Sequence, residues 1–414
     1  MRIVSQFAIR LEENLGSLAH VRLTTLMGEP LPEVDEERVD SATVAVPFVP
    51  KGIANPFHLP ELGTFYLWTN HHGKGFSASH SPLSMAQAWF QERSTQIAQA
   101  IRTYTRKGVP LEIAQRSLEA AHSNPDRAMQ LTDLVRASES LVRAVAHTRL
   151  QRLNGRPVFL WGVQVHSAQD EIAHLKHFNT LGLPLSEQGE WHALIQHAQQ
   201  KRMVMIATDL VHPEYEMTVS ALEAHLLKML NRYHGYIRYW EVVRDAPTTL
   251  ARTGLPSGTA IEFLTRLYQS VREIDPQAVR LLGATHSLYY YKSGLAFLDE
   301  CIEQEVPFEG IHLILYWHDG DLFYFERLLE HYGDFGKPLY VTLKLPPEQS
   351  HPEFWRADAV RWIDSFCWMA LSKGFIVGLI FDLHSLEPLY GDVGGALSTL
   401  LARGYNPHCY EPLE

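Results

Sequence analysis

The N-terminal part of the chain alternates apolar and polar positions in short runs: Gln6–Leu11, Ala19–Leu23, Ala42–Val46 and Thr64–Trp68. Turn-forming segments separate them, among them Met27-Gly-Glu-Pro30 and Pro47-Phe-Val-Pro50. This spacing predicts a small β-rich, sandwich-like module over 1–80. From Pro82 the period changes. Apolar residues then recur at helical spacing from Met85 to Tyr104, from Leu111 to His122, and from Asp126 to Leu153. Lys107-Gly108, Asn124-Pro125 and Asn154-Gly155 stop these stretches, so a helical connector is expected over 81–154.

Beyond Gly155 the pattern becomes strand, then helix, repeatedly. Strand-like runs fall at Val158–Val165, Phe178–Leu183, Met203–Ala207, Ile237–Val243, Ala278–Gly283, Gly310–Leu315, Pro338–Leu343 and Ile376–Phe381. Helical stretches at Ser220–Tyr233, Ala260–Ile274, Gly294–Gln304, Leu322–His331 and Arg356–Ser372 separate the later ones. Continuous apolar strands alternating with amphipathic helices are the mark of an α/β fold with a parallel sheet. Eight of them predict a (β/α)8 TIM barrel over 155–414. An open doubly wound sheet is the alternative, disfavoured because no Gly-rich phosphate loop follows the first strand.

Composition narrows the function. A chain of 414 residues exceeds one typical core. Its 46% hydrophobic and 20% charged residues are those of a folded protein. The net charge of −11 repels phosphate backbones and argues against a nucleic-acid partner. No apolar run of signal-peptide length opens the chain and no run is long enough for a membrane helix, so a cytoplasmic protein without a membrane span is expected. Three cysteines without CxxC spacing indicate neither a disulfide framework nor a thiolate zinc site, and no cofactor is implied.

The fourth strand reads Tyr236-Ile-Arg-Tyr-Trp-Glu-Val-Val-Arg-Asp-Ala246. This resembles the W-D-V-V-N-E-A segment of family-ten glycoside hydrolases, the xylanases. Phe308-Glu-Gly-Ile-His-Leu313, Gly336-Lys-Pro-Leu-Tyr-Val-Thr-Leu-Lys-Leu345 and Lys373-Gly-Phe-Ile-Val-Gly-Leu-Ile-Phe381 resemble that family's sixth, seventh and eighth strands. The resemblance implies the barrel fold and a sugar site at the C-terminal ends of the strands. It also implies what is missing. The family's sugar-positioning Asn corresponds to Arg244, its acid/base Glu to Asp245, and its nucleophile Glu to Leu343. A retaining glycosidase needs two carboxyls about 5–5.5 Å apart, one of them protonated. Asp245, one methylene shorter and beside a cation, is a poor proton donor, and Leu343 has no chemistry.

The expected function is therefore that of a non-catalytic, xylanase-like barrel, a pseudo-glycosidase. It would bind an oligo- or polysaccharide, or serve as a structural subunit with protein partners. Candidate ligand-binding residues near the strand ends are Arg244, Asp245, His212, His286, Tyr289, Tyr290, Trp317, His318, Asp382 and His384. Tyr289, Tyr290 and Tyr291 stand out, because three consecutive rings on a loop suit stacking on sugar. Two alternatives keep catalysis. One is an inverting pair of Asp245 and Asp382 with a water between them. The other is a hydrolytic metal held by His166, His286, His318 and Asp382. Trp240 is expected to be structural, the acidic run Glu33–Arg38 a solvated loop, and Glu139 an exposed helix position.

Overall fold

A computed structural model describes residues 7–10, 21–31, 37–40, 43–60, 62–152, 159–167, 178–185, 191–208, 218–290, 292–344 and 359–383. The described N-terminal residues form strands β1 (Phe7–Arg10), β2 (Arg22–Thr24), β3 (Glu37–Asp40), β4 (Thr43–Val46), β5 (Gly52–Leu59), β6 (Gly63–Thr69) and β7 (Leu83–Ser84). They make two small sheets, β3-β4-β1-β7 and β2-β5-β6. Alternation drives the burial: Phe7 and Ile9 point into the core while Arg10 is exposed.

One feature of these sheets differs from the sequence reading. The acidic run ends in β3, which pairs with β4; residues 33–36 lie outside the described residues. Strand β5 contains Pro56, which reads against a central strand. It is tolerated because β2 pairs only with residues 52–54, so Pro56 faces β6 alone.

Three helices follow: α1 (Met85–Thr105), α2 (Glu112–Ser123) and α3 (Arg127–Gln151). Ser84 caps α1 by accepting from the Gln87 amide, and Asp126 caps α3 by accepting from Ala128 and Met129. Glu139 in α3 is buried, contrary to expectation, and pairs with Arg361 at 2.9 Å. Burial of that carboxylate is compensated by the guanidinium from a helix of the barrel.

The barrel strands are β8 (Leu160–Gln164), β9 (Thr180–Pro184), β10 (Val204–Thr208), β11 (Tyr239–Val243), β12 (Val279–His286), β13 (Gly310–Tyr316), β14 (Leu339–Lys344) and β15 (Ile376–Asp382). All neighbours are parallel, and β15 pairs with β8 to close the ring. Outside it pack α4 (His192–Gln200), α5 (Val219–Tyr233), α6 (Ala246–Arg252), α7 (Ser257–Ile274), α8 (Leu295–Glu303), α9 (Leu322–Gly333) and α10 (Ala359–Leu371). This is a (β/α)8 TIM barrel preceded by small β-sheets and a helical segment. Among the described residues no helix is long and apolar enough to cross a membrane.

The barrel interior is closed below by Leu160, Ile206, Tyr239, Leu281, Tyr340 and Ile380. The outer faces of the strands join the larger core shared with the helices and the N-terminal sheets. Trp240 belongs to that outer core, fully buried, its indole donating to the Ile237 carbonyl at 2.9 Å. Phe65 of β6 meets Trp317 edge-on at 5.6 Å, and Arg93 of α1 pairs with Asp321 at 2.9 Å, both buried. Asp321 also caps α9 by accepting from the Tyr324 amide. The N-terminal elements are thereby fixed against the barrel.

Candidate functional site

The strand ends at the C-terminal side carry buried charged side chains, among them Arg244, Asp245 and Asp382. Side chains alternate between the two faces of a strand, so the floor residues set which later positions look inward. From Tyr239 the inner face of β11 continues to Glu241. From Tyr340 that of β14 continues to Thr342 and Lys344, and from Ile380 that of β15 continues to Asp382. Leu343 points the other way, buried in the outer core.

One layer above the floor, Glu241 is fully buried and faces His312 of β13, whose Nδ1 lies 3.0 Å from its Oε1. The other ring nitrogen of His312 lies 2.7 Å from the Thr342 hydroxyl. Gly283 of β12 makes room for this group. A β-carbon there would come within 2.4 Å of Glu241 Oε1 and 2.5 Å of the Val243 carbonyl.

Above that layer lies the mouth. Arg244 and Asp245 follow β11, both buried. Asp245 takes a left-handed backbone conformation, φ 44°, as the chain turns from strand into α6. Its carboxylate is paired with Lys292, which comes from the loop after β12. Asp382 lies beside the seam of the barrel, with Oδ1 2.7 Å from His166 Nε2. Lys344 sits deep in the mouth yet keeps some contact with solvent. Burial, and then the neighbouring Arg244, pull its ammonium down to about 8, against the opposing pull of Asp382 and Glu241. Arg244 is lowered by burial too, with Tyr316, Asp382 and Asp245 acting to restore it.

An aromatic row borders these charges. Tyr290 is 38% exposed, with its ring 4.7 Å from Tyr289 and 4.9 Å from Tyr316. Tyr289 in turn meets Tyr66 of β6 at 6.4 Å. The loop carrying the row is tied down by the buried Asp319, which accepts from the Tyr289 amide at 3.1 Å, and by Arg22, which donates to the carbonyls of Leu288 and Tyr289. Burial raises the Asp319 carboxyl to about 7, outweighing the hydrogen bonds from Ser287, Tyr289 and Leu288 that favour its anion.

Of the residues read from sequence, Arg244, Asp245, Asp382, His166, Tyr289 and Tyr290 come together at the mouth. His286 does not. Strand β12 runs on to His286, whose side chain falls on the outer face, buried against α9 with Nε2 2.9 Å from the Tyr324 hydroxyl. Burial lowers this imidazole to about 3. Trp317 is likewise buried, between Phe65 and Trp362, and Tyr324 is buried beside His286. Tyr291, His212 and His384 lie outside the described residues, as does the side chain of His318. Among the described residues no three His, Cys, Asp or Glu side chains gather where they could hold a metal ion. Lys292, Lys344, Glu241 and His312 were not singled out by sequence. Lys344 had a signal, the period of two along β14, whereas Lys292 sits in a loop without one.

The barrel is similar to those of family-ten xylanases. Xylanase 10B from Thermotoga petrophila RKU-1 matches 63% of this chain and 97% of its own, at 15% identity and a TM-score of 0.44. The family-ten xylanase of Thermobacillus composti matches 54% of this chain and 84% of its own, at 17% identity and a TM-score of 0.41. A β-glucuronidase of Bacteroides uniformis matches 55% of this chain and 31% of its own, at 16% identity and a TM-score of 0.42. No protein-family model and no curated protein matches the chain.

Proposed function

We propose that this protein is a non-hydrolytic, glycoside-hydrolase-like barrel whose mouth binds carbohydrate. The observation that carries the reading is the state of the carboxyls. Asp245 is neutralised by Lys292 and Asp382 is held by His166, while the inward position at the end of β14 is an amine. Double displacement needs a free carboxylate nucleophile opposite a protonated carboxylic acid, and these groups supply neither role. Binding needs less. The exposed face of Tyr290 offers an apolar platform for a sugar ring, and the surrounding charged groups offer hydrogen bonds to hydroxyls.

Calorimetric titration with xylo- and gluco-oligosaccharides, run beside a broad glycosidase screen, tests this reading. Saturable binding without turnover, weakened by Tyr290→Ala, is the expected result. Turnover abolished by Asp245→Asn would replace the reading with that of an active inverting hydrolase. Absence of any sugar binding would leave the structural-subunit role.

A further inference from the structure

The loop between β12 and α8 belongs to the barrel, but part of its grip comes from outside. Its two ends exchange backbone hydrogen bonds, Ser287 N–H to the Lys292 carbonyl at 2.9 Å and Lys292 N–H to the Ser287 carbonyl at 3.0 Å. Within it, the peptide joining Leu288 to Tyr289 is held at both poles. Arg22 Nε of β2 donates to its carbonyl oxygen at 3.1 Å, and its N–H donates to Asp319 Oδ1 at 3.1 Å. Arg22 Nη2 also reaches the Tyr289 carbonyl at 3.3 Å. A peptide plane fixed by a guanidinium at its oxygen and a carboxyl at its nitrogen cannot rotate without breaking both contacts. Tyr290 is the next residue, its amide donating to Ser287 Oγ at 3.2 Å.

Other N-terminal residues hold the same loop. Tyr66 of β6 meets the Tyr289 ring at 6.4 Å and carries the Arg22 guanidinium 6.0 Å from its own ring centre. Glu29, beyond β2, accepts from the Ser293 hydroxyl at 2.9 Å. The eight barrel strands close without any of these residues. Docking of the sheet on the barrel is already supplied by rings, Phe65 against Trp317 and Trp68 against Tyr324. Arg22 does something different. It is only 5% exposed, and burying a guanidinium is costly unless acceptors meet it. Two of its acceptors are carbonyls of the mouth loop.

We infer that Arg22 is a positioning residue for the mouth. By locking the Leu288–Tyr289 peptide against Asp319 it holds the Tyr290 ring where the ligand stacks, so the N-terminal sheet and the barrel build the binding site together. The inference rests on the carbohydrate reading for the nature of the ligand, and adds the residue outside the barrel that sets the platform. Lys292 lies on the same loop, so a loop freed from Arg22 also draws its ammonium away from Asp245.

The test compares the unaltered protein with Arg22→Met, which keeps an unbranched side chain and removes the donors, and with Val46→Ala. Val46 is buried in β4, in the other N-terminal sheet, so its truncation loosens that part of the chain without removing any of these contacts. Two properties are measured: nitration of Tyr290 by tetranitromethane, followed by mass spectrometry of the peptide, and calorimetric titration with xylohexaose and cellohexaose. Circular dichroism confirms the fold. Arg22→Met should speed nitration of Tyr290 and weaken oligosaccharide binding, each about ten-fold, the worth of one hydrogen bond from a charged donor. Val46→Ala should leave both unchanged while its unfolding midpoint falls. Unchanged or slower nitration in folded Arg22→Met overturns the inference, and so do equal changes in Val46→Ala. Oligosaccharide binding by Arg22→Met as tight as that of the unaltered protein overturns it too, and leaves the carbohydrate reading standing. If none of the proteins binds sugar, the carbohydrate reading falls and nitration alone decides whether Arg22 positions Tyr290. If Arg22→Met does not fold, hydrogen exchange in the unaltered protein decides. The Tyr289 amide should then be protected at least about a hundred-fold over an open loop amide, and exchange at the open-chain rate overturns the inference.

Discussion

His166 Nε2 stands 2.7 Å from Asp382 Oδ1, and the pair bridges the first and last strands of the barrel at the seam where it closes. Register places Asp382 opposite Gln164, two residues before His166, so the contact continues the ladder one step beyond the strands. The same carboxylate supports the charged forms of Arg244 and Lys344. A residue read from sequence as half of an acid pair thus favours the charged forms of two cations that burial disfavours.

Asp382→Asn keeps a polar group at the seam but removes that charge. The Lys344 amine should then titrate lower than about 8, because the anion that favours its protonated form is gone. Reaction of Lys344 with an amine-selective reagent as a function of pH, followed by mass spectrometry of the peptide, checks this. An unchanged labelling profile would mean that Asp382 is too well screened to act on Lys344.

Lys292 and Asp245 form the other organising contact, with the carboxylate buried and the ammonium partly exposed. Lys292→Met strands a buried carboxylate and should cost about 1–3 kcal/mol in urea denaturation. Adding Asp245→Asn should restore most of that loss, since Asn tolerates the left-handed backbone at this position and carries no charge to leave unpaired. Additive losses in the double variant would show that the two residues act independently.

The barrel was legible because its strands are buried on both faces and so read as continuous apolar runs, each ended by a turn signal. The site was less so, for reasons visible in single residues. Ending the fifth barrel strand at Gly283 makes His286 a loop residue near the mouth. The strand continues three residues further, and alternation turns the imidazole outward. Matching the seventh strand to the xylanase motif drew attention to Leu343 as a missing nucleophile, while the inward side chain is its neighbour Lys344. Glu139 was read as exposed because a helix pattern cannot show that Arg361, more than two hundred positions away, would meet it.

Gly283 is the tightest point of the inner wall. Gly283→Ala would press a methyl group against the Val243 carbonyl at 2.5 Å and the Arg244 α-carbon at 2.9 Å, as well as against Glu241. Two of these three neighbours are backbone and cannot swing aside. The variant should lose about 1–3 kcal/mol, measured by chemical denaturation. Near-wild-type stability would require that β11 shift away, and the circular dichroism of the aromatic band would then change.

Asp319 should make stability depend on pH. Its carboxyl is raised to about 7 in the folded protein from an ordinary value of 3.8, so the folded state holds the proton more tightly than the unfolded chain does. Its contribution is therefore greatest below about pH 4 and is lost as pH rises toward 7, where ionisation of the buried group is forced. His286, lowered to about 3, has the opposite slope, because its neutral form is favoured on folding and stability is lost as pH falls below about 6.5. The two partly cancel between about pH 4 and 6.5, so the unaltered protein alone is a poor test. Asp319→Asn removes one of them. The stability of this variant relative to wild type should increase from pH 4.5 to 7.5 by up to about 3 kcal/mol, read as the difference in urea midpoints at each pH. A constant difference across that range would mean that the amides of Leu288 and Tyr289 hold the Asp319 anion well enough to offset its burial.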